Sequence, residues 1–225
     1  MPTGIELTDQ PHKSSLAAAM AHGLAVGAGA RAVILVEGVS DQRAVQALAA
    51  RRGLDLHAQQ VSVVPMGGAT NIGHFVHQLG PDGLGVRLAG LCDAGEEAEF
   101  QRGLRQAGLG SDLTRAEMER RGFFVCVEDL EDELIRSLGV AAVEQLIQAQ
   151  GELGSFRTMQ RQPAQRGRTI TQQLRRFMGT RSGRKIRYAP LLVDALDLKL
   201  CPPALDGLLV HVSRPDLHRS APSSS

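Results

Sequence analysis

Four short apolar runs, each followed by a helical pattern, place the strongest constraint on the fold of this chain. The runs are Val33–Val36, Val61–Val64, Val86–Leu91 and Phe123–Val127. Their length and apolar character predict buried strands. Strands that alternate with helices at this spacing form a parallel sheet with helices on both faces. The sequence therefore predicts an α/β fold with a mostly parallel four-stranded sheet, followed by a C-terminal helical extension.

Three of the four predicted strands end in an acidic residue. Glu37 follows the first strand, Asp93 follows the third, and the acidic segment Glu128–Glu133 follows the fourth. Because the carboxyl ends of parallel strands meet at one edge of a sheet, we expect these carboxylates to lie close together. Such carboxylates repel one another unless a divalent cation lies between them. We therefore favour a metal site at this edge over a chance pattern.

Individual acids near this edge have simpler interpretations as well. Asp41 falls in the first turn of the helix after Glu37, where it could simply accept hydrogen bonds from free amides. Glu131 borders the apolar stripe of its helix, whereas we expect Asp132 and Glu133 to be solvated.

The Gly67-Gly68 loop precedes a helix over Ile72–Leu79, for which Thr70 or Asn71 is the expected cap. This loop could bind a phosphate, although most such loops only turn the chain.

The chain divides by composition into four predicted segments. Residues 1–30 form an N-terminal segment with a short helix, and residues 31–139 form the α/β domain. Residues 140–213 form a basic helical region, and residues 214–225 form a tail whose composition predicts disorder.

Charge is unevenly distributed between the two halves. Asp93–Glu133 contains twelve acidic and five basic residues, whereas Ser155–Val193 contains ten basic residues and no acidic one. This segregation suggests a cation site in the first segment and an anionic partner at the second. Two solvated helix faces that attract each other would produce the same pattern.

Composition excludes several classes of protein. No apolar run approaches the length of a membrane span and no secretory signal is visible, so we expect a cytoplasmic protein without membrane contact. The scattered cysteines, Cys92, Cys126 and Cys201, fit a reducing compartment. Aromatic residues make up only 3% of the chain, which argues against base-stacking platforms. No P-loop sequence is present, so we expect no P-loop ATPase in this chain.

The order and spacing of these motifs resemble a Toprim domain, the metal-binding fold shared by topoisomerases, primases and certain nucleases. The closer similarity is to the Toprim part of OLD-family (overcoming lysogenization defect) nucleases. It is carried by Val36–Asp41, by Gly67–Asn71, by Asp93, and by Lys185 before Tyr188 in the basic region. The resemblance covers residues 31–138 well and residues 155–212 loosely.

The resemblance implies a metal-dependent nuclease that cleaves or nicks DNA by a two-metal mechanism with Mg²⁺ or Mn²⁺. Glu37 and Lys185 would be catalytic, with Lys185 stabilising charge on the scissile phosphate. The implied metal ligands are Glu37, Asp41, Asp93, Glu128 and Glu131. Backbone contacts that do not distinguish base sequence would come from Arg175, Arg176, Arg181, Arg184 and Arg187.

Two departures from the family pattern keep alternatives open. The family carries Asp-x-Asp at the third strand end, whereas this chain has Asp93-Ala94-Gly95, with Glu96 or Glu97 as a substitute. We expect no ATPase module of the kind that precedes Toprim in OLD proteins, so the chain would act alone or with a separate ATPase partner; a homodimer is left open. The main alternative is a catalytically impaired Toprim module that binds nucleic acid or such an ATPase. A third is nucleotidyl transfer, which needs basic residues near the acidic edge.

Overall fold

The computed structural model describes residues 29–181 and 183–214, together with the isolated positions 19, 23, 25 and 26. The predicted N-terminal segment and C-terminal tail lie almost wholly outside these residues, so both remain predictions. The boundary proposed between residues 139 and 140 also remains a prediction.

The four predicted strands form one parallel sheet. Its order is β2-β1-β3-β4, and every neighbouring pair is parallel. The strands are β1 (Ala32–Val36), β2 (Val61–Pro65), β3 (Arg87–Cys92) and β4 (Phe123–Val125). β4 ends before the predicted Val127 because the Val127 N–H donates to Glu133 Oε1 at 2.7 Å and the chain turns there. The predicted fold class is confirmed.

Side chains of β1 alternate between two apolar cores. Ala32, Ile34 and Val36 point into one core, and Val33 and Leu35 point into the other. This alternation is the period of two that a strand imposes on its side chains. Every residue of β1 is fully buried, as expected for a central strand covered on both faces.

Helices from the first half of the chain alternate with the strands. They are α1 (Val39–Arg51), α2 (Ile72–Leu79), α3 (Glu97–Gln106), α4 (Arg115–Arg120) and α5 (Leu130–Leu138). The core that contains Val33 and Leu35 is completed by α2, α3 and α4. The opposite core is completed by α1, by α5 and by the helices that come after α5 in the chain.

Five further helices form the second half of the chain. They are α6 (Val140–Ala149), α7 (Leu153–Gln160), α8 (Ile170–Gly179), α9 (Arg184–Ala195) and α10 (Pro203–Ser213). Their apolar residues join the core that contains Ile34, so the basic half packs directly against the sheet. Among the helices within the described residues, none combines the length and apolar character needed to cross a membrane.

The first turn of α9 carries basic residues and is anchored by one of them. The helix begins at Arg184 and ends at Ala195. Arg184 Nη1 donates to the Phe177 carbonyl at 2.7 Å and to Thr180 Oγ1 at 2.6 Å. These bonds tie the start of α9 to the end of α8.

The outer edge of β2 is covered by its own chain. The Val61 N–H donates to the Leu56 carbonyl at 2.7 Å, and Gln42 Nε2 donates to the Val63 carbonyl at 2.8 Å. Pro65, at the end of the strand, has no N–H to offer. Two main-chain groups on the open side of this edge strand are therefore already hydrogen-bonded within the chain.

Candidate metal centre

Glu37 lies at the end of β1, in the turn that leads into α1. The next residue, Gly38, donates its N–H to Asp41 Oδ2 at 2.8 Å. Asp41 therefore caps the helix start, as its simpler interpretation predicted. Burial raises the pKa of Asp41 to about 6; the bond from Gly38 opposes this rise, and the charges of Glu131 and Glu37 add to it.

The Gly67-Gly68 loop holds the backbone of Glu37. The N–H groups of Gly67 and Gly68 donate to the Glu37 carbonyl at 3.0 and 3.3 Å. Both glycines have positive φ, 74° and 127°, which other residues rarely adopt. Asn71 Nδ2 donates to the Met66 carbonyl at 2.8 Å instead of capping α2. Because these two amides are occupied, the loop positions Glu37 and is poorly suited to bind phosphate.

Three carboxylates converge where β1 and β3 end. Each of Glu37, Asp93 and Glu96 offers one carboxylate oxygen, and these three oxygens lie within 4.8 Å of one another. Asp93 directly follows β3, and one turn of 3₁₀ helix over Ala94–Glu96 directs Glu96 toward Glu37. Glu97 instead pairs with Arg115 at 2.7 Å. Of the two substitutes considered from the sequence, the structure thus brings only Glu96 into the group.

The electrostatics of this triad fit a divalent cation. Burial raises the pKa of Asp93 to about 8, and the charges of Asp129 and Glu37 add to the rise. Burial, together with a hydrogen bond to Glu37, raises the pKa of Glu96 to about 7. Glu96 Oε2 is buried without a hydrogen-bond partner. An ion bound by oxygen ligands would satisfy that atom and offset the repulsion that adds to the effect of burial on these pKa values.

Glu131 and Lys185 form an ion pair beside the triad. Lys185 Nζ lies 2.9 Å from Glu131 Oε2, and the Glu131 side chain is only 4% exposed. Burial disfavours the charged lysine, but the charge of Glu131 and its hydrogen bond outweigh burial and raise the pKa of Lys185. The charge of Glu131 also raises the pKa of Asp41 and of Asp93. The structure therefore places this pair within the electrostatic reach of the acidic edge.

The side chain of Glu128 does not belong to the group formed by Glu37, Asp93 and Glu96. That side chain is 63% exposed and lies 3.7 Å from Arg175. Its carbonyl accepts a hydrogen bond from the Ala94 N–H at 3.0 Å, which aligns the ends of β3 and β4. The next residue, Asp129, caps α5 by accepting from the Asp132 N–H at 2.8 Å and pairs with Arg175.

The expectation that Asp132 and Glu133 are solvated is wrong. Both are buried. Glu133 accepts the hydrogen bond from Val127 that ends β4, and Asp132 pairs with Arg136 at 2.7 Å. Local hydrogen bonds at the start of α5 therefore use these carboxylates, which helical periodicity alone could not show.

A basic cleft of about 550 Å³ adjoins the acidic edge. Lys185 and Asp129 belong to its wall, and its other lining residues are Arg168, Gln172, Arg175, Arg176, Gly179 and Thr180. Arg168 lies in the basic segment but was not among the arginines singled out from the sequence. The cleft therefore presents cationic side chains directly beside Glu131 and its neighbours.

The five arginines expected to bind nucleic acid have different surroundings. Arg175 and Arg176 line the cleft, Arg181 is exposed, and Arg187 pairs with Glu152. The Arg184 side chain is only 2% exposed, pairs with Glu152 at 3.0 Å and lies 3.9 Å from the centre of the Phe177 ring. Its burial leaves no face for a phosphate, so the structure gives Arg184 a structural role instead of the expected one.

Comparisons with known proteins agree with this architecture. Residues 30–94 match the family model described as overcoming lysogenization defect protein-like, TOPRIM domain. The C-terminal region of the Burkholderia pseudomallei OLD protein has the same fold, with a TM-score of 0.63, 21% identity, and coverage of 81% of this chain and 97% of that one.

A second solved structure has higher sequence identity. It is the C-terminal region of the Xanthomonas campestris pv. campestris OLD protein, with 27% identity, a TM-score of 0.61, and coverage of 81% of this chain and 94% of that one. No curated protein matches this chain. The predicted resemblance to an OLD-like Toprim domain is confirmed.

Proposed function

We propose that this chain, which carries an OLD-like Toprim domain, is a metal-dependent nuclease that cleaves or nicks DNA phosphodiester bonds. The match to an OLD-like Toprim domain implies a metal-binding module that acts on nucleic acid. One observation carries the proposal: Glu37, Asp93 and Glu96 converge within 4.8 Å, and a basic cleft adjoins the edge where they meet. Carboxylates for a cation and cationic residues for phosphate thus lie side by side.

The residues have separate parts in phosphodiester hydrolysis. Glu37, Asp93 and Glu96 would hold Mg²⁺ or Mn²⁺, hard cations that prefer oxygen ligands. A bound ion would supply Lewis acidity toward the phosphate and lower the pKa of a water ligand. In the hydrolysis itself, a water oxygen forms a bond to phosphorus, the bond from phosphorus to one sugar oxygen breaks, and the proton that the water loses is taken up by the departing oxygen.

The basic cleft is where the scissile strand would lie. Arg168, Arg175 and Arg176 contact the phosphate backbone, which carries no sequence information, so the proposal is for sequence-independent binding. The ammonium of Lys185 lies between the cleft and Glu131, where it would stabilise negative charge that develops on the phosphate. An ATPase partner and a homodimer remain predictions from the sequence.

The second ion expected from the sequence is left out of this mechanism. Among the implied metal ligands, Glu131 pairs with Lys185 and the side chain of Glu128 is mostly exposed beside Arg175. The proposal therefore relies on one ion, at Glu37, Asp93 and Glu96.

The test is nicking of supercoiled plasmid in Mg²⁺ or Mn²⁺. We expect Glu37→Ala to lower the rate by about 100-fold or more, because even residues behind the metal ligands contribute 10- to 100-fold. Asp82→Ala is the matched control: this exposed acid precedes β3, at the opposite edge of the sheet, and its loss should leave the rate unchanged. Equal nicking by wild type and Glu37→Ala would refute the proposal.

A catalytically impaired Toprim module is the alternative, and Gly95 favours it. Position 95 carries glycine where the family pattern has a second acid, and a Cβ added there would meet no atom within 4 Å. This alternative predicts DNA or ATPase binding without cleavage. Calorimetry that detects no divalent ion at millimolar concentration, together with no nicking, would support it.

A further inference from the structure

We infer that this site binds one divalent cation, at Glu37, Asp93 and Glu96, and that the ammonium of Lys185 occupies the position of a second ion. The inference rests on the proposed function, because it concerns the ions of the same site. It departs from the two-ion arrangement that the sequence predicted.

The first argument is that Glu131 already has a cation. Lys185 Nζ lies 2.9 Å from Glu131 Oε2, which is the distance of a charge-assisted hydrogen bond. Glu131 is 4% exposed and can hardly turn to a different partner. A dication at Glu131 would have to displace the ammonium or lie against it, and two like charges at that separation repel strongly.

The second argument is that the other expected ligands are not gathered with the triad. Asp41 Oδ2 holds the Gly38 N–H, and the exposed Glu128 side chain lies beside Arg175. Position 95, which carries an acid in the family pattern, is glycine. Across the part of the chain that the structure describes, only Glu37, Asp93 and Glu96 gather enough oxygens for an ion.

The third argument is that the charge of Lys185 offsets the same negative charges that a second ion would offset. Its charge acts on Asp41 and Asp129 as well as on Glu131, so it offsets negative charge on both sides of the acidic edge. The side chain is 43% exposed and lines the basic cleft, so its remaining N–H groups can reach a phosphate oxygen while Glu131 holds it in place. A lysine ammonium is a compact point charge with three donors, which suits this position.

Mn²⁺ stoichiometry of the full chain, measured by calorimetry, tests the inference independently of activity. We expect one Mn²⁺ per wild-type chain and none with Glu37→Gln. Lys185→Gln frees Glu131 and should admit a second Mn²⁺, whereas Lys185→Arg keeps the positive charge and should remain at one. Lys199→Gln is the matched control: this exposed lysine lies near Arg51, where α1 ends, and the variant should also bind one. Circular dichroism confirms that each variant is folded.

The possible results separate this inference from the proposed function. Two Mn²⁺ per wild-type chain, with nicking retained, would overturn the inference and leave the nuclease proposal intact. One Mn²⁺ in wild type and also in folded Lys185→Gln would overturn the role given to Lys185. No Mn²⁺ and no nicking would overturn both.

The metal dependence of nicking gives a second readout. With one ion, the rate should rise hyperbolically with Mn²⁺ concentration, with a Hill coefficient of about 1. A clearly sigmoidal dependence in wild type would contradict the inference.

Discussion

Protons compete with the cation at two carboxyls of the triad. Burial raises the pKa of Asp93 to about 8 and that of Glu96 to about 7, well above the ordinary pKa values of these side chains. Because these pKa values are higher in the folded than in the unfolded chain, the folded state binds more protons over this range. Folding of the ion-free protein is therefore favoured at low pH and loses that contribution as pH rises.

We predict that the melting temperature in a chelator falls between pH 5 and pH 8, and that Mn²⁺ removes most of this fall because it replaces the protons. Thermal unfolding followed by circular dichroism measures both. Asp93→Asn serves as the control, since it lacks the titrating group with the larger shift and should show a smaller fall. A melting temperature in chelator that falls equally in wild type and Asp93→Asn would contradict the role given to Asp93.

The first turn of α9 depends on a charged cluster that lies beneath it. Glu152, just before α7, accepts hydrogen bonds from Arg184 at 3.0 Å and from the Tyr188 hydroxyl at 2.8 Å, and it also pairs with Arg187. Lys185 follows Arg184 in the same turn. The cluster therefore fixes the direction in which the Lys185 side chain leaves the helix.

We predict that Glu152→Ala lowers the free energy of unfolding by about 3–5 kcal/mol, because it leaves the buried Arg184 without its counter-charge. Glu144→Ala is the matched control. It breaks the more exposed pair with Arg157 and should cost less than about 1 kcal/mol. Urea unfolding measures both values. Similar losses of unfolding free energy for the two variants would show that the Glu152 cluster stabilises the fold no more than a surface ion pair does.

Sequence patterns predicted some elements of the site and missed others for identifiable reasons. The convergence of Glu37 with Asp93 followed from strand polarity, because parallel strands all end at one edge. The choice of Glu96 over Glu97 depended on one turn of 3₁₀ helix, which shifts side-chain direction by a residue. The interior position of Arg184 depended on Glu152, 32 residues away along the chain, so no local pattern could reveal it.

The whole molecule combines two regions of opposite charge on one core. Apolar side chains of the sheet and of the basic helical half pack in a common cluster, which includes Ile34, Leu134, Tyr188 and Leu208. Acidic strand ends are thereby held against the basic cleft without a hinge between separate cores. This arrangement explains why the uneven charge of the sequence produces both contact between the halves and an open cationic surface.

We predict that DNA binding weakens steeply with salt and that Arg176→Ala reduces the slope of log K against log salt concentration by about one unit. Arg176 is exposed on the wall of the cleft. Arg105→Ala, an exposed arginine on α3, is the matched control and should leave the slope unchanged. Fluorescence anisotropy in chelator measures binding without cleavage. An identical slope for wild type and Arg176→Ala would show that the cleft wall at Arg176 does not contact the DNA backbone.

The covered side of β2 also restricts how two copies of this chain can associate. With the Val61 amide and the Val63 carbonyl engaged internally and Pro65 at the end, an approaching strand meets no continuous row of vacant main-chain groups. A strand added by a second copy would have to displace these bonds, so growth of the sheet from one molecule into the next is disfavoured on this side. A dimer formed there would rest mainly on side-chain packing, so its affinity would respond to surface substitutions.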